Sequence, residues 1–285
     1  MLRGSLRLAA RCAGALALMV ALSGALWFER WFVPKAEPWP FWLVSDESNA
    51  ATVPVAAWNR WLARHLRAGP NGVNRIDYGT VTGAERAALD RLIADWTELP
   101  IRSYRRREQL AYWINLYNAV TVQVVLAHYP VASIRDIDTS PGLFADGPWD
   151  AKAVEVEGTA LSLNDIEHRI LRPGWHDPRI HYTVNCASIG CPNLAATAYR
   201  SATIESDLDR AARAYVNDPR GTRFTDQGLM VSKIYFWFQE DFGGSEGAVL
   251  AHLRRFARPA LRARLAGVTE IAGATYDWRL NDGAR

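Results

Sequence analysis

The chain has 285 residues, of which 49% are hydrophobic, so it can bury a large core as one domain or as two small ones. Its formal charge of +3 comes from Arg3, Arg7 and Arg11, and the residues after position 25 carry 30 basic and 30 acidic side chains. The one basic cluster in that remainder is 105–107, which is too small for a phosphate-binding face, so nucleic acid is excluded as a partner.

Residues 1–32 are predicted to be a targeting segment. Three arginines precede an apolar run at 13–28, which is shorter than the ~20 residues of a typical spanning helix and suits a signal peptide. Small residues at 23–25 offer a cleavage site, whereas the aromatic residues within 27–32 favour an uncleaved membrane anchor. Both alternatives stay open. Both place the rest of the chain in the cell envelope, outside the cytoplasm, either anchored to the inner membrane or secreted into the periplasm.

The remaining chain is predicted to be a linker followed by one globular domain. Residues 33–54 contain four prolines and no helical period, so they are predicted to be extended, and residues 55–285 form the domain. Hydrophobic periodicity predicts helices at 55–67, 84–98 and 104–126. After them it predicts a hairpin at 151–161, a helix at 163–171, a strand at 179–185, a helix at 204–217, strands at 222–224 and 228–234, a helix at 247–256 and a strand at 276–278. A helical first half followed by mixed strands and helices indicates an α+β fold.

Two asparagines stand out in the apolar helix at 104–126. Asn115 and Asn118 are three residues apart, so they share one helical face. A buried carboxamide without a partner costs ~1–3 kcal/mol, so both need hydrogen bonds. Two interpretations are open: the pair caps a neighbouring loop, or one of the two orients an imidazole in a site.

The stretch 162–192 concentrates the reactive side chains. The helix at 163–171 carries Glu167 and His168, and Glu167 falls within its apolar stripe, so this carboxylate must be paired or protonated. The predicted strand ends at Cys186, and Ala187 is expected to begin a helical turn. A thiol at such a place is ionised by a neighbouring imidazolium or a helix N-terminus, which makes it a nucleophile.

Spacing then suggests roles around Cys186. We expect His168 to be its base, because the helix that carries it can fold back over the end of the strand. The second imidazole, His181, would lie about 16 Å from the thiol along an extended strand. The candidates for orienting the base are Glu167, Asn115 and Asn118. The Asn185 side chain and the Cys186 backbone N–H are predicted to stabilise an oxyanion.

Other chemistries are open for the same residues. A disulfide between Cys186 and Cys191 would close a small loop in an oxidising compartment. A metal site from these thiols with His168 and His181 is disfavoured by the cysteine spacing, so neither a metal nor another cofactor is predicted. The chain has no Gly-rich phosphate loop, no G-x-S-x-G and no H-E-x-x-H, which excludes several common enzyme classes.

Several motifs occur in the order found in one known family. The segments 112–119 (YWINLYNA), 163–168 (LNDIEH) and 177–186 (DPRIHYTVNC) resemble the domain-of-unknown-function family numbered 547. Ser188, Cys191-Pro192, the segment 232–235 and Asp241-Phe242 fit its pattern too, and the resemblance covers roughly residues 100–245. The family supplies no established reaction. The resemblance does imply that the two asparagines, Glu167, His168 and Cys186 belong to one site.

These observations lead to two expectations about function. The first is an exported or membrane-anchored thiol enzyme, a hydrolase or acyl transferase that acts on an amide, isopeptide or thioester, with Cys186 as nucleophile. Its architecture, by analogy alone, would be papain- or transglutaminase-like with His ahead of Cys. The second is a non-catalytic envelope domain that binds a small molecule or peptide near Asn118 and Trp113, with a structural Cys186–Cys191 disulfide. The predicted binding residues are Trp113, Tyr117 and Lys233.

Overall fold

The computed structural model describes residues 33–141 and 147–284, so the predicted signal or anchor at 1–32 lies outside the described residues. The described part has an α+β fold, as predicted. Its α-helices are α1 (Ala56–His65), α2 (Gly83–Thr97), α3 (Arg106–His128), α4 (Arg172–Trp175), α5 (Ile204–Val216), α6 (Ile234–Trp237), α7 (Glu246–Phe256) and α8 (Pro259–Leu265). Its strands are β1 (Leu66–Ala68), β2 (Asn74–Ile76), β3 (Lys152–Val156), β4 (Thr159–Ser162), β5 (Thr222–Thr225), β6 (Gly228–Ser232) and β7 (Gly273–Thr275). A π-helix, Asp165–Leu171, runs directly into α4, and 3-10 helices lie at Pro40–Leu43, Pro70–Gly72, Tyr78–Thr80, Ile101–Ser103, Ile134–Asp136 and Pro178–Tyr182.

Helix α3 is the centre of the larger hydrophobic core. It is apolar on nearly every side, which is the pattern of a helix surrounded by other elements, and the prediction of a helix at 104–126 is confirmed. It is the one described helix that is long and apolar enough to cross a membrane. Since 83% of its most apolar window is buried inside the fold, α3 behaves as the core helix of the domain.

The N-terminal arm, residues 33–43, packs on the domain. Trp42 is fully buried and lies edge-on against Trp113 of α3, with ring centroids 5.1 Å apart. The segment predicted to be an extended linker therefore contains the 3-10 helix Pro40–Leu43 and contributes a tryptophan to the core.

The arm also completes the hydrogen bonding of the π-helix. A π-helix pairs each carbonyl with the N–H five residues later, and for His168 that residue is Pro173, which has no N–H. Glu37 supplies the missing donor at 3.0 Å, and Trp39 donates to the next carbonyl, that of Arg169, at 3.0 Å. The arm and the π-helix thus form one unit.

The hairpin of β3 and β4 leads directly into the π-helix. Its turn, Glu157-Gly158, has positive φ at both residues (45° and 73°), which suits a tight two-residue turn. At the end of β4, the Ser162 hydroxyl accepts from the Asp165 N–H at 3.1 Å, and the Asp165 carboxylate accepts from the Ser162 N–H at 2.9 Å. This reciprocal pair begins the helix at the predicted N-cap.

The predicted strand at 179–185 is wrong. Residues Pro178–Tyr182 form a 3-10 helix, because Asp177 caps it by accepting from the Arg179 N–H at 2.9 Å and because Pro178 occupies its first turn. The local cap overrides the alternating pattern. The helical turn expected after Cys186 is also absent from this part of the structure: Ala187 instead has φ +58°, which is unusual for a residue with a side chain.

The C-terminal part closes over the cysteine loop, residues 183–192. Strands β5 and β6 are antiparallel and β7 adds to β6 in parallel. The chain then continues as 277–282, where Asp277 and Arg279 carbonyls accept from Gly190 and Ile189 at 2.7 Å each. A side chain at Gly190 would place a Cβ 2.6 Å from the Asp277 nitrogen, so this close approach requires glycine. The last strand is Gly273–Thr275, three residues before the predicted strand at 276–278. Helix α8 has no counterpart in the prediction.

Two hydrophobic clusters share the core. The larger surrounds α3, and the smaller one is built from α5, β6, α7 and the residues around them. The boundary between the two clusters holds a cavity, and this cavity contains most of the reactive side chains singled out above.

Candidate functional site

A cavity of about 340 Å³ lies between the two clusters. Its aromatic lining residues are Tyr117, Trp149, Trp237, Phe238, Tyr276 and Trp278. Its polar and thiol-bearing lining residues are Asp150, Asn164, Glu167, His168, His181, Cys186 and Cys191. A concave site with an apolar wall and a few convergent reactive groups is the usual form of a small-molecule site.

Cys186 is half-buried on the wall of this cavity, and both it and Cys191 are free thiols. Its Sγ lies 3.1 Å from Cys191 Sγ, 3.2 Å from Ser188 Oγ and 3.0 Å from Tyr276 Oη. When Cys186 is ionised, Cys191 S–H and Tyr276 O–H can both donate to it, and Ser188 O–H can donate either to it or to Tyr276 Oη at 3.0 Å. These hydrogen bonds, that of Cys191 foremost, outweigh burial and lower the pKa of Cys186 below its ordinary value of 9.0.

The pKa of Cys191 moves in the opposite direction. Burial and the adjacent Cys186 raise the pKa of Cys191 well above 9.0, because this thiol is the donor in the pair. The two shifts are consistent: when the pair loses one proton, Cys186 is the sulfur that becomes the thiolate and Cys191 keeps its proton.

Asn118 holds the backbone that leads to the thiol. Its Nδ2 donates to Thr183 O at 2.9 Å, and its Oδ1 accepts from the Asn185 N–H at 2.8 Å. One turn earlier, Asn115 makes the same pair of bonds to the backbone of Tyr199, at 2.8 and 2.9 Å. Of the two interpretations, the loop-holding one is correct, and neither carboxamide contacts an imidazole among the described residues.

The predicted oxyanion donors are engaged within the cysteine loop. Asn185 donates to Pro192 O at 2.7 Å and accepts from the Ala187 N–H at 2.9 Å. The Cys186 N–H donates to Cys191 Sγ at 3.0 Å. Both groups shape the loop in this way, and their contact with a substrate oxygen stays a prediction.

His168 lines the cavity but does not touch the thiol. Its Nδ1 lies 3.1 Å from Arg172 Nη1, and since a guanidinium only donates, Nδ1 accepts and Nε2 carries the proton of the neutral ring. Burial and the charge of Arg172 lower the pKa of His168 to about 4, although Glu167 opposes them. This imidazole is therefore neutral at neutral pH and carries its proton on Nε2.

His181 is paired with two carboxylates. Its Nε2 lies 2.7 Å from Asp241 Oδ2, and its Nδ1 lies 3.7 Å from Glu167 Oε1. Burial alone would lower its pKa, but the bonds to Asp241 and Glu167 raise it. Both ring nitrogens are directed at carboxylates, so His181 does not contact the thiol either, in agreement with the expectation that it is not the base.

Glu167 is ionised at this centre. Burial would raise its pKa, but the charges and hydrogen bonds of His168, His181 and Arg172 lower it to about 2. Tyr117 lines the same cavity, and burial together with the nearby charge of Glu167 raises the pKa of Tyr117 well above its ordinary value. The predicted pairing of Glu167 with a histidine is thus present, with His181 as the partner.

Two of the predicted binding residues lie elsewhere. Trp113 is fully buried in the larger core against Trp42 and Tyr112. Neither Trp113 nor Lys233 is among the described residues that line the cavity. The cavity is displaced from the predicted pocket near Asn118 and Trp113, because these residues face the core and the loop backbone.

Four functional residues were missed by the sequence analysis: Arg172, Ser188, Asp241 and Tyr276. Arg172 is buried and donates to Asp241 Oδ2 at 2.6 Å, to Pro34 O at 2.8 Å and to His168. Its place four residues after His168 on a predicted helix indicates that the two side chains are neighbours. Ser188 and Asp241 lay in the family-like motifs, whereas nothing near Tyr276 in the sequence indicates its contact with a thiol 90 positions away.

No group of three or more His, Cys, Asp or Glu side chains in residues 33–141 and 147–284 is arranged to hold a metal ion.

The neutral state of His168 predicts a pH dependence of stability. Its folded pKa, about 4, lies below the ordinary value of 6.5, so its contribution is full above pH 6.5 and is lost as the pH falls toward 4. Between pH 7 and pH 5 this single group should remove about 2 kcal/mol from the free energy of unfolding.

Urea unfolding at the two pH values, with His168→Asn as the control, measures this contribution. Asparagine keeps an acceptor for Arg172 but does not titrate, so the variant should lack that part of the loss. Equal losses in both proteins would contradict a neutral, buried His168.

Comparison with known protein families gives one match, which covers part of the chain. Residues 101–216 match the model of the family described as Protein of unknown function, DUF547. The match confirms the resemblance seen in the motifs, and it ends before the later segment that contains Lys233 and Asp241. Neither the curated proteins nor the solved structures gave a significant match.

Proposed function

We propose that this chain, which carries a DUF547 domain, is an exported or membrane-anchored thiol enzyme that transfers or hydrolyses an acyl group. The observation that carries the proposal is the position of Cys186: a half-buried thiol on a cavity wall, surrounded by three donors that favour its thiolate. A reactive cysteine needs this combination of a depressed pKa and access.

The reaction begins with attack of the Cys186 thiolate on a carbonyl carbon. The carbonyl oxygen gains the negative charge, and donors near the sulfur stabilise it. The hydroxyls of Ser188 and Tyr276, which bond the thiolate in the resting protein, are released as the sulfur forms its new bond and become available to this oxygen. The Nε2–H of His168 is a further donor on the same cavity. Collapse of the intermediate expels the leaving group and forms a thioester on Cys186.

The leaving group selects among the predicted substrates. An amide nitrogen needs a proton when it leaves, and protonated imidazoles usually supply it. His168 is neutral, and His181 is directed at Glu167 and Asp241. A thiolate leaves without that proton at neutral pH, so this arrangement favours an acyl thioester over an amide or isopeptide. In this proposal His168 acts as a hydrogen-bond donor and His181 as the charge partner of two carboxylates. The chain therefore shares with papain- or transglutaminase-like enzymes only the order of His before Cys.

A small aryl thioester tests the proposal. In a Cys12→Ser background, the reduced full chain should form an acyl adduct on Cys186, seen by intact mass. The rate should rise with pH, with a midpoint below the ordinary thiol pKa of 9.0. Tyr276→Phe should move that midpoint upward by about one pH unit, because a hydrogen bond to a charged group is worth ~1.5–3 kcal/mol.

Tyr235→Phe is the matched control, because its hydroxyl contacts Tyr182 and not the thiol. It should leave the midpoint unchanged. A midpoint at the ordinary thiol value, or a shift of equal size in both variants, would sink the proposal.

The second candidate is the non-catalytic binding domain. The aromatic wall favours it: Trp237, Tyr276 and Trp278 have ring centroids 4.7–5.6 Å apart and offer a broad surface for a flat or apolar ligand. The two thiols are free here, so this candidate requires that oxidation join Cys186 to Cys191. In the oxidised protein, Cys186→Ser should then lower the free energy of unfolding by the ~2–4 kcal/mol typical of a lost disulfide while ligand binding survives.

A further inference from the structure

The two thiols differ in exposure although they are neighbours. Their sulfur atoms are 3.1 Å apart and not bonded. Both thiols line the cavity, but Cys186 is half-buried whereas Cys191 is only 4% exposed. A small oxidant that enters the cavity therefore has better access to Cys186, and the second thiol is already in contact with the product.

We propose that Cys186 and Cys191 form a peroxide-reactive pair, in which a hydroperoxide oxidises Cys186 to a sulfenic acid and Cys191 converts it to a disulfide. The inference uses the nucleophile of the proposed enzyme but needs no acyl substrate. It assigns Cys186 as a modification site and Cys191 as the thiol that resolves the modification.

The chemistry is balanced by the hydroperoxide alone. The Cys186 thiolate attacks the terminal oxygen, the O–O bond breaks, and the leaving alkoxide or hydroxide takes a proton from water. The sulfur is oxidised by two electrons and the peroxide is reduced by two. Cys191 sulfur then attacks Cys186 sulfur, the S–O bond breaks, and the departing hydroxide takes the Cys191 proton to form water.

The contacts of Cys186 suit the first step. Tyr276 Oη and Ser188 Oγ lie 3.0 and 3.2 Å from its sulfur, and they also bond each other at 3.0 Å. These hydroxyls stabilise the thiolate before attack and can donate to the peroxide oxygen as it leaves. The lowered pKa of Cys186 agrees with this role, because the thiolate is the form that peroxides oxidise.

The surroundings of Cys191 suit the second step. The Cys186 N–H donates to Cys191 Sγ at 3.0 Å, which keeps the second sulfur beside the first. Asn118 fixes the backbone ahead of the pair, and Asn281 N–H donates to Ala187 O at 2.9 Å on the other side. Since the loop is fixed at both ends, closing the bond changes the structure locally, and a thiol reductant can reopen it.

Intact mass after peroxide treatment tests the inference. The reduced full chain, in a Cys12→Ser background, receives one equivalent of hydrogen peroxide. It should lose two hydrogen atoms and both free thiols, and dithiothreitol should restore them. Cys191→Ser should instead give a sulfenic acid that dimedone traps and that excess peroxide converts to a sulfinic acid. Tyr276→Phe, which keeps both thiols, should be oxidised ~10-fold more slowly at pH 6.

Three results would overturn the inference. The first is wild-type oxidation to the sulfinic acid while Cys191 stays free. The second is equal oxidation of the Cys186→Ser variant. The third is a purified protein with a Cys186–Cys191 disulfide that resists reductant until the protein unfolds, which would indicate a structural disulfide. If a serine variant fails to fold, the Tyr276→Phe rate decides. If the wild type forms the acyl adduct on Cys186 normally but gives the first result with peroxide, the proposed enzyme activity is supported and only the peroxide-reactive pair is contradicted.

Discussion

Replacing Arg172 with alanine is expected to remove about 3–5 kcal/mol from the free energy of unfolding, the amount typical of losing one partner of a buried charge pair. The Arg172 side chain is 4% exposed, and it bonds Asp241, Pro34 O and His168 Nδ1 at once. Its loss leaves those groups without their donor at the contact between the arm, the π-helix and the smaller cluster. Urea unfolding of the wild type and the variant measures the difference.

Arg210→Ala is the matched control for this prediction. Arg210 also pairs with an aspartate, Asp207, but its side chain is 67% exposed. An exposed pair contributes at most ~1 kcal/mol, so this variant should unfold almost as the wild type does. If the free energy of unfolding falls by a similar amount in both variants, the buried hydrogen bonds of Arg172 do not stabilise the domain more than an exposed ion pair does.

Asn118→Ala is expected to lower stability by about 3 kcal/mol and to reduce the reactivity of Cys186. The carboxamide satisfies Thr183 O and the Asn185 N–H, and each buried backbone group left unpaired costs ~1–3 kcal/mol. The same two bonds fix the chain just ahead of the thiol. Their loss therefore moves the sulfur relative to Tyr276, which weakens the hydrogen bond that favours the thiolate.

Asn115→Ala separates these two effects. Asn115 makes the same pair of bonds, but to Tyr199 in another loop. Both variants should lose stability to a similar degree in urea unfolding. The rate of acyl adduct formation at Cys186 should fall in Asn118→Ala alone. An unchanged rate there would show that the carboxamide has no part in positioning the thiol.

Sequence patterns identified the elements whose causes are local. The helices α1 to α3 follow from apolar periodicity, and the start of the π-helix follows from the Ser162 cap. The segment 179–185 is not a strand because the Asp177 cap favours a 3-10 helix over the alternating apolar pattern. The cap is itself visible in the sequence, and it is the stronger of the two local signals.

The composition of the site was partly predictable and its geometry was not. Cys186, Glu167, His168 and His181 do meet in one cavity, as the clustering of reactive residues suggested. Their partners come from distant parts of the chain: Asp241 lies 60 positions from His181 and Tyr276 lies 90 from Cys186. The role of each imidazole depends on those distant partners. Spacing within one segment therefore predicted His168 as a base, whereas its contact with Arg172 makes it a hydrogen-bond donor through Nε2.

The bonds of the arm have a mechanical consequence. Glu37 and Trp39 hold the π-helix through its carbonyls, and Pro34 O holds Arg172. A displacement of residues 34–39 would therefore act on the same turns that carry Glu167 and His168. The position of the arm and the geometry of the cavity are thus coupled through three hydrogen bonds.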